Sequence, residues 1–323
     1  MSSDARRPQG STTTSRHPWP GRRLAAALLL PILGLAGCSV QRLVARTAGQ
    51  ALAGGGSVWS SDDDPELVRE AFPFALKTIE SLLAAAPDDP GLLLAASSSF
   101  TQYAEGFLAA QADELEATDF AASRALRARA ARLLARGTAY GMRGLEQASP
   151  GLRAALADRD RADAALARLG RAQVPLLYWT AASWGARISQ AKDDPTLSAD
   201  LPSVERLMSR ARALDPGFGD GAIFDFYIVW DGARPAAAGG SAARAEAALA
   251  EALRFARGRR AAPFVAFAET VCVAAQDRQR FEQALADALA VDAAASGEHR
   301  LANLLTQRRA AWLRERADEL FVD

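Results

Sequence analysis

Beyond residue 62, apolar positions recur at i, i+3, i+4 and i+7 through most of the chain, the period of an amphipathic helix. Leu67, Val68, Phe72, Leu76, Ile79 and Leu83 stripe a first strong helix, with Pro73 placed to kink it. Leu92 to Phe107 forms the next, and the Arg/Ala-rich stretch from Phe120 to Gln147 is the longest. Further helices are predicted near 172–191, 203–214, 218–231, 241–257, 261–275, 278–292 and 300–317. No segment alternates in the two-residue period of a strand with turn signals on both sides, so the fold class is all-α. The punctuation between helices repeats. Asp64-Pro65, Asp89-Pro90, Asp194-Pro195 and Asp215-Pro216 each pair a capping residue with proline. The first two suit a helix start, because proline at the first helical position loses no intrahelical hydrogen bond.

The second half repeats itself. Ala248-Leu249-Ala250-Glu251-Ala252-Leu253 recurs as Ala284-Leu285-Ala286-Asp287-Ala288-Leu289, 36 residues later. Arg210-Ala211-Arg212-Ala213-Leu214-Asp215-Pro216 resembles the end of the first helix of a tetratricopeptide hairpin, whose repeat is about 34 residues. The expected architecture is an array of antiparallel helical hairpins, tetratricopeptide-like but degenerate, over residues 62–323.

The first forty residues have a different grammar. Arg16, Arg22 and Arg23 precede an uncharged stretch from Leu24 to Ala36, and Leu35-Ala36-Gly37-Cys38 follows. A basic segment, a short apolar segment and small residues at a cleavage point make a secretory signal. The apolar stretch spans about 13 residues against the roughly 20 that cross a bilayer. The Leu-Ala-Gly-Cys string is similar to the lipobox of bacterial lipoproteins. That resemblance implies cleavage before Cys38, a diacylglycerol on its sulfur and acylation of the new amine. Two or more chains make a stable tether without any spanning helix. Residues 1–37 then form the signal peptide and 38–61 a tether segment. Ser39 after the cysteine, rather than Asp, favours the outer over the inner membrane by the sorting rule of enteric lipoproteins.

Composition narrows the chemistry. The chain holds 38 basic and 38 acidic residues. Removal of residues 1–37 takes five arginines and one aspartate, leaving 33 and 37 and a net charge of −4. No basic excess invites nucleic acid. Cys38 and Cys272 are the two cysteines. A lipidated Cys38 leaves Cys272 without a disulfide partner, in the apolar context of a buried, inert thiol. His17 departs with the signal, and His299 alone remains, read as a solvated loop residue. Histidine-cluster metal sites and histidine-based catalysis lose their material. The runs Asp62-Asp63-Asp64 and Asp193-Asp194 lack the ligand spacing of a calcium loop and read as helix caps. No enzyme activity and no cofactor is expected.

Four groups of residues are candidates for ligand or partner contact. Asp225 interrupts the run Ala222 to Trp230, which is otherwise apolar all round, with Phe226 beside it. Such a helix is buried on every side or borders an apolar cavity, and Asp225 calls for an arginine partner there. Tyr178 and Trp179 flank a stripe of Leu177, Ala181, Trp184 and Ile188. Phe100, Tyr103 and Phe107 form a third stripe with Gln102 beside it. Lys77 shares a helix face with Glu80, an ion pair in one reading and a partner-facing charge in the other.

Several strings carry a family resemblance. Asp63-Asp64-Pro65-Glu66-Leu67-Val68, Ala71 to Leu83, Pro90 to Leu94, Phe100-Thr101-Gln102-Tyr103, and Arg300 to Leu313 closing on Asp318-Glu319-Leu320-Phe321 resemble the TRAP-transporter-associated TatT lipoprotein family. The match is strongest around 62–107 and 300–321, where Asn303 and Gln307 join the candidate contacts. The resemblance implies a tetratricopeptide-like periplasmic lipoprotein beside the solute-binding subunit of a tripartite ATP-independent periplasmic transporter. It also implies homo-oligomers, contact with the membrane through lipid only, and an apolar channel for a hydrophobic ligand. A structural envelope scaffold that binds no small molecule is the alternative.

Overall fold

The computed structural model describes residues 56–191 and 194–322. Cys38 and the segment expected to be a signal peptide lie outside the described residues, all of which belong to one compact unit spanning Ala45–Asp323. No strand occurs among the described residues, and no helix there is long and apolar enough to cross a membrane.

The described residues begin with a short helix, α1 (Gly56–Ser60), then α2 (Pro65–Ala85) and α3 (Pro90–Tyr103). Both Asp-Pro signals act as expected. The Asp64 carboxylate accepts from the amides of Glu66 and Leu67, each at 3.0 Å, and that of Asp89 accepts from Leu92 at 3.0 Å. These amides have no intrahelical partner, so the carboxylate satisfies them and meets the positive end of the helix dipole. Asp194 likewise caps a four-residue turn, Pro195–Ser198. Asp215 instead ends a helix, and its carboxylate meets Arg171 at 3.1 Å.

Helix α2 runs unbroken through Pro73, which sits on the exposed side, so the orphaned carbonyl of Arg69 faces water. Val68, Phe72, Leu76, Ile79 and Leu83 are buried, but Leu67 is 58% exposed and not part of the core stripe expected of it. It lies one position off the buried face, seven residues from the exposed Phe74.

After α3 the helix widens into a π-helical turn over Ala104–Ala109, then continues as α4 (Ala110–Leu115). The long α5 (Phe120–Ala148) follows, then short α6 (Leu152–Ala155) and α7 (Arg159–Ala167), both absent from the sequence prediction. Next come α8 (Val174–Gln190), α9 (Pro195–Ser198), α10 (Leu201–Leu214) and α11 (Phe218–Gly232). α12 (Ala242–Ala256) and α13 (Ala262–Phe267) lead into a second π turn, Ala268–Cys272, and α14 (Val273–Ala275). α15 (Arg278–Ala290), α16 (Arg300–Glu315) and α17 (Ala317–Leu320) complete the chain.

Successive helices pack on one another: α2 on α3, α3 on α5, α5 on α8, α8 on α10, α11 on α12 and α15 on α16. α16 then returns to the start, where Arg300 pairs with Asp63 and Arg308 with Glu66, each at 2.7 Å. A close approach between helices is a seam of small residues joining α3, α5 and α8. A Cβ at Gly141 would stand 2.1 Å from the Thr180 hydroxyl oxygen and 2.7 Å from that of Ser97, so only glycine lets the backbones meet.

Candidate functional site

Where α1, α2, α3, α8 and α16 converge, they enclose a cavity of about 200 Å³. Trp59, Phe72, Ile79, Leu94, Trp179 and Leu301 supply its apolar wall. Ser60, Ser98, Ser99 and Gln102 supply its polar one. The Trp59 and Phe72 rings lie 5.3 Å apart, and Phe72 stacks on Tyr103 at 5.6 Å and meets Phe107 at 5.8 Å. The aromatic wall is thus held from behind by two further rings, each pair contributing about 0.5–1.5 kcal/mol beyond its buried area.

Of the candidates read from the sequence, Gln102 and Trp179 line this cavity, and Tyr103 and Phe107 are buried behind it. Trp59 and Leu301 were missed. Nothing in the local pattern marks them, because they reach the cavity from opposite ends of the chain.

Tyr178 points elsewhere, with its ring 5.1 Å from Phe218. Burial and the nearby Asp225 carboxylate push its hydroxyl up to about 12. Asp225 has the arginine partner expected of it: Arg260 donates to both carboxylate oxygens, Nη1 to Oδ1 at 3.3 Å. Burial nevertheless pushes the Asp225 carboxyl above its ordinary value, against the pull of that guanidinium. Of the two readings of its helix, buried on every side or bordering an apolar cavity, the structure excludes the first. Val229 is 42% exposed, and Phe226 stacks on Trp230 with ring centres 5.3 Å apart. Ahead of it, Gly219, Asp220 and Gly221 take left-handed φ of 58°, 52° and 91°, so the regular helix starts at Ala222.

His299 is not a solvated loop residue. Its Nε2 lies 2.7 Å from Asp220 Oδ2, and its side chain is 14% exposed. Asp220, Glu298 and His299 bring three ligand atoms within 4.8 Å of one another, a grouping of cation-binding type. Arg259 already meets the same Asp220 oxygen at 2.7 Å, supplying the positive charge a cation would bring.

Asn303 and Gln307 hold helix ends together. Asn303 Oδ1 accepts from Ala261 N at 2.9 Å, and its Nδ2 donates to Arg259 O at 2.7 Å. Gln307 Nε2 donates to Val291 O at 2.7 Å and to Ala288 O at 3.2 Å. Lys77 forms the ion pair with Glu80 at 2.8 Å, its side chain 72% exposed. Cys272 is buried, and that burial pushes its thiol up to about 11, so it carries no reactive thiolate at neutral pH.

A larger hollow of about 520 Å³ between α7 and α10 is lined by charged side chains such as Arg159, Asp163 and Glu205 together with apolar ones. Two of its arginines are already committed to helix-end carbonyls: Arg206 donates to Leu156 O and Arg210 to Leu169 O, each at 2.5 Å.

A family model described as TRAP transporter T-component matches residues 61–321. The chain belongs to the TRAP transporter T-component family. The match takes in every helix from α2 to α17, including all the cavity-lining residues except Trp59 and Ser60. A T-component is an accessory part of a transporter. An uncharacterized protein of Treponema pallidum (strain Nichols) is 27% identical over 320 residues, covering 94% of this chain and 99% of the relative.

Proposed function

We propose that this T-component is a lipid-tethered accessory of the cell envelope that docks a periplasmic solute-binding protein and holds an apolar ligand in the Trp59–Trp179 cavity. The observation that carries the ligand half is the cavity itself: aromatic and aliphatic walls with a few convergent polar groups, the usual make-up of a small-molecule site. The tether rests on the lipobox-like string ending at Cys38, with Ser39 favouring the outer membrane.

The docking half draws on α2. Leu67 and Phe74 stand seven residues apart on one face of that helix, 58% and 79% exposed, with the exposed Lys77 one turn further on. Large exposed apolar side chains in a row mark protein contacts more than isolated ones do. A tetratricopeptide-like stacking of hairpins would present such a face to a partner.

Two measurements test the reading. Crosslinked pull-down of the lipidated protein from envelope extract is expected to recover a periplasmic solute-binding protein, and Phe74→Glu to reduce that recovery at least about tenfold, the effect of losing an interface anchor. Native mass spectrometry after exposure to lipid extract is expected to show a retained apolar ligand on the wild type and none on Ser98→Leu, which fills the cavity. A wild type that recovers no such protein and retains nothing is a structural scaffold instead.

A further inference from the structure

Two carboxylates sit in the two π-helical turns, each as the second residue of its turn: Glu105 in Ala104–Ala109 and Glu269 in Ala268–Cys272. Single π turns inside α-helices re-aim side chains and gather at functional positions. Here the two acids meet one chain of polar groups. Glu105 Oε1 lies 3.4 Å from Gln190 Nε2 on α8, and Gln190 Oε1 accepts from Arg127 Nη1 on α5 at 3.4 Å. Arg127 pairs with Asp113 on α4 at 2.8 Å and with Glu116 just beyond it at 2.7 Å. Asp113 pairs in turn with Arg309 on α16 at 3.0 Å, and Arg309 Nε donates to Glu269 Oε1 at 2.6 Å.

The chain therefore ties the π turn and α4 to α16, which are far apart in sequence. Its charges are uneven: Asp113, Glu116 and Glu269 share two guanidiniums, and Glu105 has no ion-pair partner among the described residues. Ionised, Glu105 adds a fourth negative charge to a chain in which Arg127 and Arg309 already serve three acids. Buried and repelled by Asp113, that charge is relieved by water. The Ala104–Leu115 stretch, which carries Asp113 as well, then moves outward and takes Asp113 from Arg309.

We propose that this polar chain is a proton-operated latch: with a proton on Glu105 it ties the Ala104–Leu115 stretch to α16, and release of that proton to solvent loosens the tie. Desolvation, with the Asp113 charge adding to it and Gln190 and Arg127 opposing, pushes the Glu105 carboxyl up to about 7. Glu269 is pushed above its ordinary value by the same burial, against Arg309. The latch thus sits within reach of physiological pH change. It joins α3's extension to α16, the elements that bring Gln102 and Leu301 to the cavity, but it does not depend on a ligand being there.

Hydrogen exchange on the full chain, corrected for intrinsic rates, tests the latch. Amides of the 104–116 and 300–315 segments are expected to lose about tenfold in protection between about pH 6 and about pH 8. Glu105→Gln, which keeps the shape and cannot ionise, is expected to hold the protection at both values. Glu114→Gln, at an exposed neighbour, is expected to behave as wild type. Wild-type protection that does not change with pH, or pH dependence that survives in Glu105→Gln, overturns the proposal. Should Glu105→Gln fail to fold, the carboxyl carbon shift of Glu105 in labelled wild type decides. A midpoint near 7 supports the latch, and one below about 5.5 overturns it.

Discussion

Gly141 shows how much one missing methyl group can matter. Its α-carbon faces the Thr180 hydroxyl, which donates back to Leu176 O at 2.6 Å, and Ser97 across the seam. Gly141→Ala forces the backbones of α5 and α8 apart or pushes Thr180 out of its hydrogen bond. Overpacking of this kind costs about 1–3 kcal/mol, and the 2.1 Å overlap with Thr180 puts Gly141 at the upper end, above the roughly 1 kcal/mol that alanine gains in helix propensity. Chemical denaturation is expected to show a net loss of stability in Gly141→Ala, and a gain would contradict the seam. The sequence gives little warning of this: glycine inside an Ala-rich helical pattern reads as a tolerated weakness. Its purpose becomes visible only when Thr180 and Ser97 arrive from other helices.

At the scale of the helix, the local signals carry most of the information. The Asp-Pro pairs, the spacing of Val68, Phe72, Leu76, Ile79 and Leu83, and the long Arg/Ala stretch place α2, α3 and α5 close to their observed limits. Asp64 satisfies two amides at the start of α2. Asp64→Ala is therefore expected to lower stability by about 1 kcal/mol in urea unfolding, with Asp64→Asn losing much less. Sequence period did not reveal the two π turns. One extra residue in a turn shifts the apolar stripe by about 100°, which an alanine-containing window of one or two turns is too short to register. Nor did it reveal α6 and α7, whose few apolar residues are too short a run to show a period. Leu67 failed in the opposite sense: it fits the stripe in sequence, yet it lies at the edge of the buried face and meets water.

For the whole molecule, the buried acids set how stability follows pH. Glu105 titrates near 4.5 in the unfolded chain and near 7 in the folded one. Between those values the native state binds more protons than the unfolded state, so stability falls as pH rises through the interval and levels off above it. Glu269 and Asp225, also pushed up by burial, act in the same direction. Glu66, held down by Arg308 at an exposed pair, acts only in more acidic solution and is screened by water. Thermal melts of the wild type are expected to be higher at about pH 5 than at about pH 8. Glu105→Gln is expected to recover about 1–3 kcal/mol at the upper value and nothing at the lower. A wild type whose melting temperature rises across that range would refute the assignment of Glu105 as the dominant buried acid.

The sequence by itself determined the all-helical class, the helix starts at Asp64 and Asp89, the Asp225–arginine pairing and the family, because each is written in local spacing or in contiguous strings. It also limited the chemistry by leaving one histidine and one cysteine beyond residue 38. Tertiary structure alone decided which residues share the cavity and which share the polar chain. Trp59, Gln102, Trp179 and Leu301 come from four helices, and Glu105, Arg127, Gln190, Glu269 and Arg309 from five elements. The physical reason is the return of α16 to the beginning of the chain, where Arg300 and Arg308 find Asp63 and Glu66. Contacts that span more than two hundred residues leave no period in the sequence, and burial of a carboxylate is a property of what surrounds it.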